Sequence, residues 1–315
     1  MVSKRPVIVV IGASNIDLVV KSSRFPRPGE TVSGGGFFIG PGGKGANQAV
    51  AAARLGAKVY FVARIGKDIF GNKIISGLKK ARVNIDYVVC DPKEPSGTAL
   101  IVIDKNGENS IVFAPGANSK LSQADIEKAK SVIILADILV LQLETSLAAT
   151  EYAANLAHKY HIPILLNPAP ASGKLSTDFL NKVDVLTPNE TEIQELTGIK
   201  VDNLASAKAA AEVILETGVK TVVLTMGKKG ALLVTRDKTK LIPAKKVKAL
   251  DTTGSGDAFS GALAFSLVKG KEISEAVRFA CGVASLSVTR MGTQASMPTL
   301  DEVKIFRRNW VDRIF

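Results

Sequence analysis

The sequence predicts an α/β fold: a mainly parallel central sheet with helices packed on both faces. Three observations carry this. Short β-branched runs alternate with Ala-rich stretches of helical period along most of the 315 residues. Most of these runs are apolar throughout, as strands buried on both faces are. Glycines stand where helices would end.

Taken in chain order, Val7–Ile11 reads as the first strand, followed by strands at 59–63, 138–142, 164–167, 183–187 and 221–225. Helical periodicity covers 46–55, 148–158, 206–216 and 257–269, and Gly56 and Gly218 sit at C′ positions. Two segments break the pattern. Residues 30–40 carry Gly34-Gly35-Gly36 before Phe37-Phe38-Ile39, and residues 96–115 read as a hairpin turning at Asn106-Gly107. Both are expected as antiparallel additions to the main sheet, forming a lid from segments 15–42 and 96–114 within one domain spanning 1–315. An ordinary edge extension is the alternative.

Composition narrows the chemistry. A hydrophobic fraction of 46% suits a sizeable core. The formal charge of +12 is compatible with nucleic acid, a membrane surface or anionic small molecules. The basic residues are scattered, however. Lys245, Lys246 and Lys248 cluster briefly, Lys228-Lys229 and Arg307-Arg308 are pairs, and no stretch interleaves them with aromatics. A solvated basic surface around a nucleotide pocket is the simpler reading, with no nucleic acid partner.

Cys90 and Cys281 lie far apart and outside any CxxC pattern, so a disulfide framework is not expected and a reducing cytoplasm is. With only His158 and His161, no His-based triad or metal cluster is visible. Carboxylates, backbone amides and lysines must carry the chemistry. No apolar stretch reaches the ~18–20 residues of a membrane span. The best candidate, 132–143, is broken by Asp137, and the run before Gly12 is too short for a signal peptide.

The strongest local signal is Asp251-Thr252-Thr253-Gly254-Ser255-Gly256-Asp257, leading into an apolar helix. Glycines at a loop-to-helix junction let backbone N–H groups converge on an anion. Asp257 there reads either as an N-cap or as a base beside the anion site. A second signal is Gly40-Pro41-Gly42-Gly43-Lys44-Gly45-Ala46-Asn47-Gln48. Gly40, Gly42 and Gly45 formally match GxGxxG, but not after the first strand, and a Walker A loop fails at Phe38 and Gly45. The glycines then allow close backbone approach to a ligand, with Lys44 and Asn47 supplying hydrogen bonds.

Asn15 and Asp17, two apart in an extended segment after Gly12-Ala13-Ser14, can point the same way, as contacts to sugar hydroxyls would. An Asx turn is the bland alternative. Thr187-Pro188-Asn189-Glu190-Thr191-Glu192 and Thr225-Met226-Gly227-Lys228-Lys229-Gly230 close two apolar strands, where ligands of parallel sheets bind. Glu192 fits a first helical turn equally well.

Together these motifs resemble the ribokinase family, the carbohydrate kinases of the phosphofructokinase-B type. The resemblance runs from about Val7 to Pro298, through Gly42–Gln48 early and Asp251–Asp257 late, with Gln142-Leu143-Glu144 and Asn167-Pro168-Ala169-Pro170 between. It implies a three-layer ribokinase-like sandwich with a small β-sheet lid. It also implies ATP-dependent phosphorylation of D-ribose at O5. Asn15, Asp17, Gly42, Gly43, Lys44, Asn47 and Glu144 would hold the sugar, and Asp257 would be the base. The N–H groups of Gly254, Ser255 and Gly256 would form the anion hole. Asn189, Thr225, Gly227, Gly230 and Cys281 would line the ATP site, with Glu192 reaching Mg2+ through water. Asp251, Thr253, Ser287, Arg290, Gly292 and Ser296 match the family's monovalent cation site, usually K+. A homodimer through the lid sheets is also implied, which would cover exposed strand edges. One departure is Ser255, where many members have Ala.

Three other readings stay open from the sequence: a same-fold kinase for fructose, a nucleoside or 2-keto-3-deoxygluconate; an NADP-dependent oxidoreductase; and a non-catalytic sugar or nucleic-acid binder.

Overall fold

The computed structural model describes residues 5–171 and 173–311, so both ends of the expected 1–315 domain lie outside the described residues. Its strands are β1 (Val7–Ile11), β2 (Asn15–Lys21), β3 (Phe37–Gly42), β4 (Lys58–Gly66), β5 (Asn84–Asp91), β6 (Gly97–Ile103), β7 (Asn109–Ala114), β8 (Ile138–Leu141), β9 (Ile164–Leu166), β10 (Val185–Leu186), β11 (Thr221–Thr225), β12 (Ala231–Val234) and β13 (Thr239–Ile242). Nine form one sheet in the order β13-β12-β11-β10-β9-β8-β1-β4-β5. Every pairing from β5 through β11 is parallel, and β12 and β13 add an antiparallel edge.

The apolar runs have the meaning expected of them. In β1, Ile8 and Val10 enter one core while Val9 and Ile11 enter another on the opposite face. The first core packs under the helices Lys44–Arg54, Ser255–Val268 and Ile273–Ser287, and the second under Leu147–Lys159 and Leu204–Glu216. A strand buried on both sides cannot alternate polar and apolar residues. Gly56 and Gly218, at φ of 106° and 104°, follow the ends of two of these helices as predicted.

The remaining strands form a second, small sheet, β3-β2-β6-β7, as the resemblance implied; the reading of these segments as additions to the main sheet is corrected. The hairpin β6–β7 is antiparallel around Asn106-Gly107 as predicted, but β2 and β6 pair in parallel. Both strands leave the carboxyl edge of the main sheet, β2 from β1 and β6 from beyond β5, so they run outward together. Asn118 ties their bases. Its Oδ1 accepts from Ser14 N at 3.0 Å, and its Nδ2 donates to Asn15 Oδ1 at 2.8 Å and Pro115 O at 3.0 Å.

Candidate active site

In the main sheet the chain turns from one side of β1 to the other: β4 and β5 lie to one side, β8 to β11 to the other. The crevice at the carboxyl ends of β1 and β8 is where such a sheet binds ligands. The predicted residues gather around it, brought by β2 and β3, the helix Lys44–Arg54, and the loops after β8, β9, β10 and β11.

Asp257 sits at its centre, 6% exposed. The helix Ser255–Val268 is preceded by Gly254 in the left-handed region (φ 74°), which places Asp257 at the third helical position. The N-cap reading of Asp257 is thereby overturned: Gly254 occupies the cap, and the carboxylate turns inward. Asn47 Nδ2 donates to its Oδ2 at 2.8 Å and Gln48 Nε2 to its Oδ1 at 3.1 Å. Adjacent in sequence at the start of one helix, Asn47 and Gln48 hold one oxygen each.

In the preceding loop, expected as an anion site, the N–H of one of the three expected donors is already engaged. The N–H of Ser255 donates to Thr252 O at 3.2 Å, closing the turn that leads the chain into the helix. The open direction is at Gly256, where an added Cβ would meet nothing within 4 Å. Both glycines line a cavity of about 650 Å³ together with Lys44, Ser255 and Asp257. The expected nucleotide residues Asn189, Glu192, Thr225, Gly227, Gly230 and Cys281 line the same cavity. Asn189 caps the helix Glu190–Thr197, exchanging hydrogen bonds with Glu192 in a capping box, so the first-turn reading of Glu192 holds as well. Burial pushes the Glu192 carboxyl upward, partly offset by the Asn189 N–H. Burial also pushes the Cys281 thiol up to about 12.

On the far side of Asp257 lie the residues expected to hold a sugar. The register Asn15↔Gly42 and Asp17↔Gly40 puts all four on one face of the small sheet, so the same-side prediction for Asn15 and Asp17 is met. Gly42 approaches so closely that a Cβ there would lie 2.3 Å from Asp17 Oδ2. Gly43, at φ 89°, starts the helix that carries Lys44 and Asn47. Lys44 N donates to Glu144 Oε2 at 2.8 Å.

Charge is concentrated here. Burial pushes the Glu144 carboxyl up to about 7; Lys44 pulls it back, and Asp257 and Asp17 push it further. Burial, then the charge of Asp257, raises Asp17 to about 6. Burial works against the Lys44 ammonium, yet Asp257, Glu144 and Glu192 hold it above its usual value.

The expected cation residues meet behind the anion loop. Asp251 Oδ1 accepts from Thr253 N and its Oδ2 from Gly292 N, both at 2.9 Å, joining two loops distant in sequence. Arg290 N donates to Ser287 O, and Ser296 Oγ to Thr293 O. The Arg290 guanidinium pairs with Glu302 at 2.7 Å; its side chain being a cation with no acceptor, Arg290 has only its backbone carbonyl to offer a cation. Among the described residues, no group of three or more His, Cys, Asp or Glu is arranged to hold a metal ion. An oxygen donor such as Glu192 facing the cavity suits Mg2+ carried mainly by phosphates and water.

Sequence reasoning missed a buried amide chain. Gln142 Nε2 donates to Gln48 Oε1 at 2.7 Å, Gln48 Nε2 donates to Asn167 Oδ1 at 3.1 Å, and Asn167 Nδ2 donates to Thr187 O at 2.9 Å. Polar residues inside apolar stretches were the available signal.

A buried carboxylate beside a glycine-rich loop, between a nucleotide-sized cavity and a cluster of polar residues under a small sheet, is the arrangement of an enzyme of phosphoryl transfer. The profile of the pfkB family carbohydrate kinases matches residues 6–300, and the chain belongs to that family. The ribokinase of Haemophilus influenzae is 42% identical over 302 residues, covering 96% of this chain and 98% of its own length. The deoxyribokinase of Salmonella typhi is 41% identical over 295 residues, covering 94% and 96%. The ribokinase of Arabidopsis thaliana, solved with ribose and ATP, has a TM-score of 0.89 at 33% identity, covering 96% of this chain and 98% of that one.

Proposed function

We propose that the chain transfers the γ-phosphoryl group of MgATP to O5 of D-ribose, giving D-ribose 5-phosphate and ADP. The observation that carries this is the position of Asp257, which borders the nucleotide cavity and is held by Asn47 and Gln48 from the helix beneath the sugar pocket. Asn15, Asp17, Lys44, Asn47 and Glu144 bind and orient the sugar. Asp257 takes the proton of the 5-hydroxyl as the O5–P bond forms and the bond to the β-phosphate oxygen breaks. The N–H groups of Gly254 and Gly256, with Lys44, offset charge on the moving phosphoryl group. Asn189, Thr225, Gly227, Gly230 and Cys281 position ATP. When bound, Mg2+ would neutralise phosphate charge, and Glu192 is placed to reach it through water; Asp251 and its neighbours would hold K+ beside the loop.

The small sheet acts as a lid that excludes water as a competing acceptor. Its exposed Phe37, Phe38, Leu100 and Val112 fit a homodimer in which lid sheets pair. Two free cysteines suit a cytoplasmic enzyme, and no described helix is long and apolar enough to cross a membrane.

A second reading, 2-deoxy-D-ribose as acceptor, is favoured by the Salmonella typhi relative, at nearly the same identity as the ribokinase. The test is ADP release with MgATP and KCl across D-ribose, 2-deoxy-D-ribose, D-fructose, adenosine and 2-keto-3-deoxygluconate. Highest kcat/KM with ribose upholds the first reading. Preference for deoxyribose installs the second, and preference for any other acceptor replaces both.

A further inference from the structure

We propose that Gln48 is a positioning residue for the phosphoryl transfer, a fixed donor that orients the Asp257 carboxylate toward the sugar hydroxyl. The inference rests on Asp257 being the base.

A primary amide is nearly symmetric in shape, so Gln48 could in principle present either its oxygen or its nitrogen to Asp257. The surroundings decide which. Thr187 O is a backbone carbonyl and can only accept, which forces Asn167 to turn its Nδ2 toward it at 2.9 Å. Asn167 then has its Oδ1 facing Gln48, 3.1 Å from Nε2. From the other side Gln142 Nε2 donates to Gln48 Oε1 at 2.7 Å, filling the acceptor end. Gln48 therefore has one N–H left, and it points at Asp257 Oδ1, 3.1 Å away. The direction of every amide follows from one carbonyl that cannot flip.

Gln48 is fully buried and Asn167 and Gln142 nearly so, and the chain reaches from β8 through the helix Lys44–Arg54 to β9 and β10. At Gln48 and Asn167 every amide group used in the chain is satisfied, which makes the network rigid around Asp257; the outer end, Gln142 Oε1, is buried without a partner. Asn47 differs: it also reaches Asp257, but its Oδ1 is buried with no partner, and it is among the residues proposed to bind the sugar. Asn47 thus serves substrate and base together, while Gln48, packed behind them, serves only the base. Without Gln48 the carboxylate keeps one anchor and can rotate about it, and a small misplacement of a reacting group costs much in rate.

The test is Gln48→Met, which keeps length and volume but donates nothing, measured alone and in an Asp257→Ala background. We expect kcat to fall about 10- to 100-fold, while KM for ribose and for ATP stays within about threefold. In the Asp257→Ala background the same change should cost nothing further, because the residue it positions is gone. An unchanged kcat in Gln48→Met, an equal loss in both backgrounds, or a loss carried by KM overturns the proposal. Should Gln48→Met not fold, Gln142→Met reads the same effect one bond further out, with kcat lowered about 3- to 10-fold and the same dependence on Asp257. If Asp257→Ala by itself retains full kcat, it is the base assignment that fails, and the role of Gln48 falls with it.

Discussion

The backbone N–H of Lys44 donates to Glu144 Oε2 at 2.8 Å, joining the first turn of one helix to the loop after β8. That bond favours the ionised carboxyl, yet burial and the charges of Asp257 and Asp17 leave Glu144 with a pKa near 7, and Asp17 lies near 6. Without sugar, the pocket holds protons close to neutral pH, and the charge of Asp257 raises the pKa of both carboxyls. Sugar hydroxyls donate to carboxylates and favour the charged forms, so ribose binding should release protons between about pH 6 and 7. Calorimetry in buffers of differing ionisation enthalpy measures this, and Glu144→Gln should reduce the release.

The linked stability has a definite sign. A folded pKa raised above the unfolded one means that the contribution of Glu144 is fully present below its ordinary value of 4.5 and lost as pH rises through about 7. Relative to Glu144→Gln, the ligand-free protein should lose Tm from pH 5 to 8. A difference that stays flat across this range would show that Glu144 ionises at its ordinary pH.

Asp257→Ala separates chemistry from architecture. Gly254, not Asp257, stands at the helix cap, so the substitution removes no capping bond. It leaves the N–H groups of Asn47 and Gln48 unpaired, at a cost of about 1–3 kcal/mol for each buried group left unsatisfied. A general base contributes about 10²- to 10⁴-fold, so kcat should drop by that factor with KM for ATP nearly unchanged. Retained turnover in a folded protein would move the base elsewhere.

How legible this site was depends on how far apart its contacts lie in the chain. Val7–Ile11 and the glycines after two helices declare themselves locally, because burial on both faces and left-handed backbone each restrict composition at a single place. Asn84–Asp91 did not, since it is a half-buried edge strand with charged and polar positions. The helix Ile69–Lys80 also escaped, although Asp68 caps it through Gly71 N. The site motifs were visible as glycine-rich loops. Which carboxylate meets which amide was not, for Asn47 and Asp257 are 210 residues apart and Gln48 and Asn167 are 119 apart. The small sheet escaped the periodicity reading for a related reason: alternation shows that a segment is a strand without showing which sheet it joins.

Neighbouring glycines should respond differently to the same change. At Gly42 the three atoms nearest a Cβ all belong to the carboxylate of Asp17, its oxygens at 2.3 and 2.4 Å, and that end can swing aside. Gly42→Ala should therefore fold normally and raise KM for ribose about tenfold or more by displacing a hydroxyl acceptor, with KM for ATP unaffected. At Gly43 the backbone φ is 89° and a Cβ would lie 2.6 Å from Ser14 Cα, main chain that has nowhere to go. Gly43→Ala should lose about 1–3 kcal/mol of stability. Thermal melts and paired saturation curves distinguish the two, and equal loss of Tm in both variants would refute the contrast.

Asp251 tests the cation proposal in the same spirit. Its two oxygens each accept one backbone N–H, from Thr253 and from Gly292, and so bind the anion loop to the segment that follows the helix Ile273–Ser287. That segment is in turn tied to β3 by Thr293 Oγ1, which donates to Pro41 O at 2.6 Å. A monovalent cation among these carbonyls would hold the loop where Gly254 and Gly256 can meet the phosphoryl group. Asp251→Asn keeps the shape but has a single acceptor oxygen, so one of the two bonds must fail. The variant should show kcat near that of the wild type without K+, and adding KCl in place of NaCl should raise it less than about twofold if charge at the loop is what K+ supplies. If instead Asp251→Asn lowers kcat equally with and without K+, leaving the stimulation ratio intact, Asp251 braces the loop and the cation acts somewhere else.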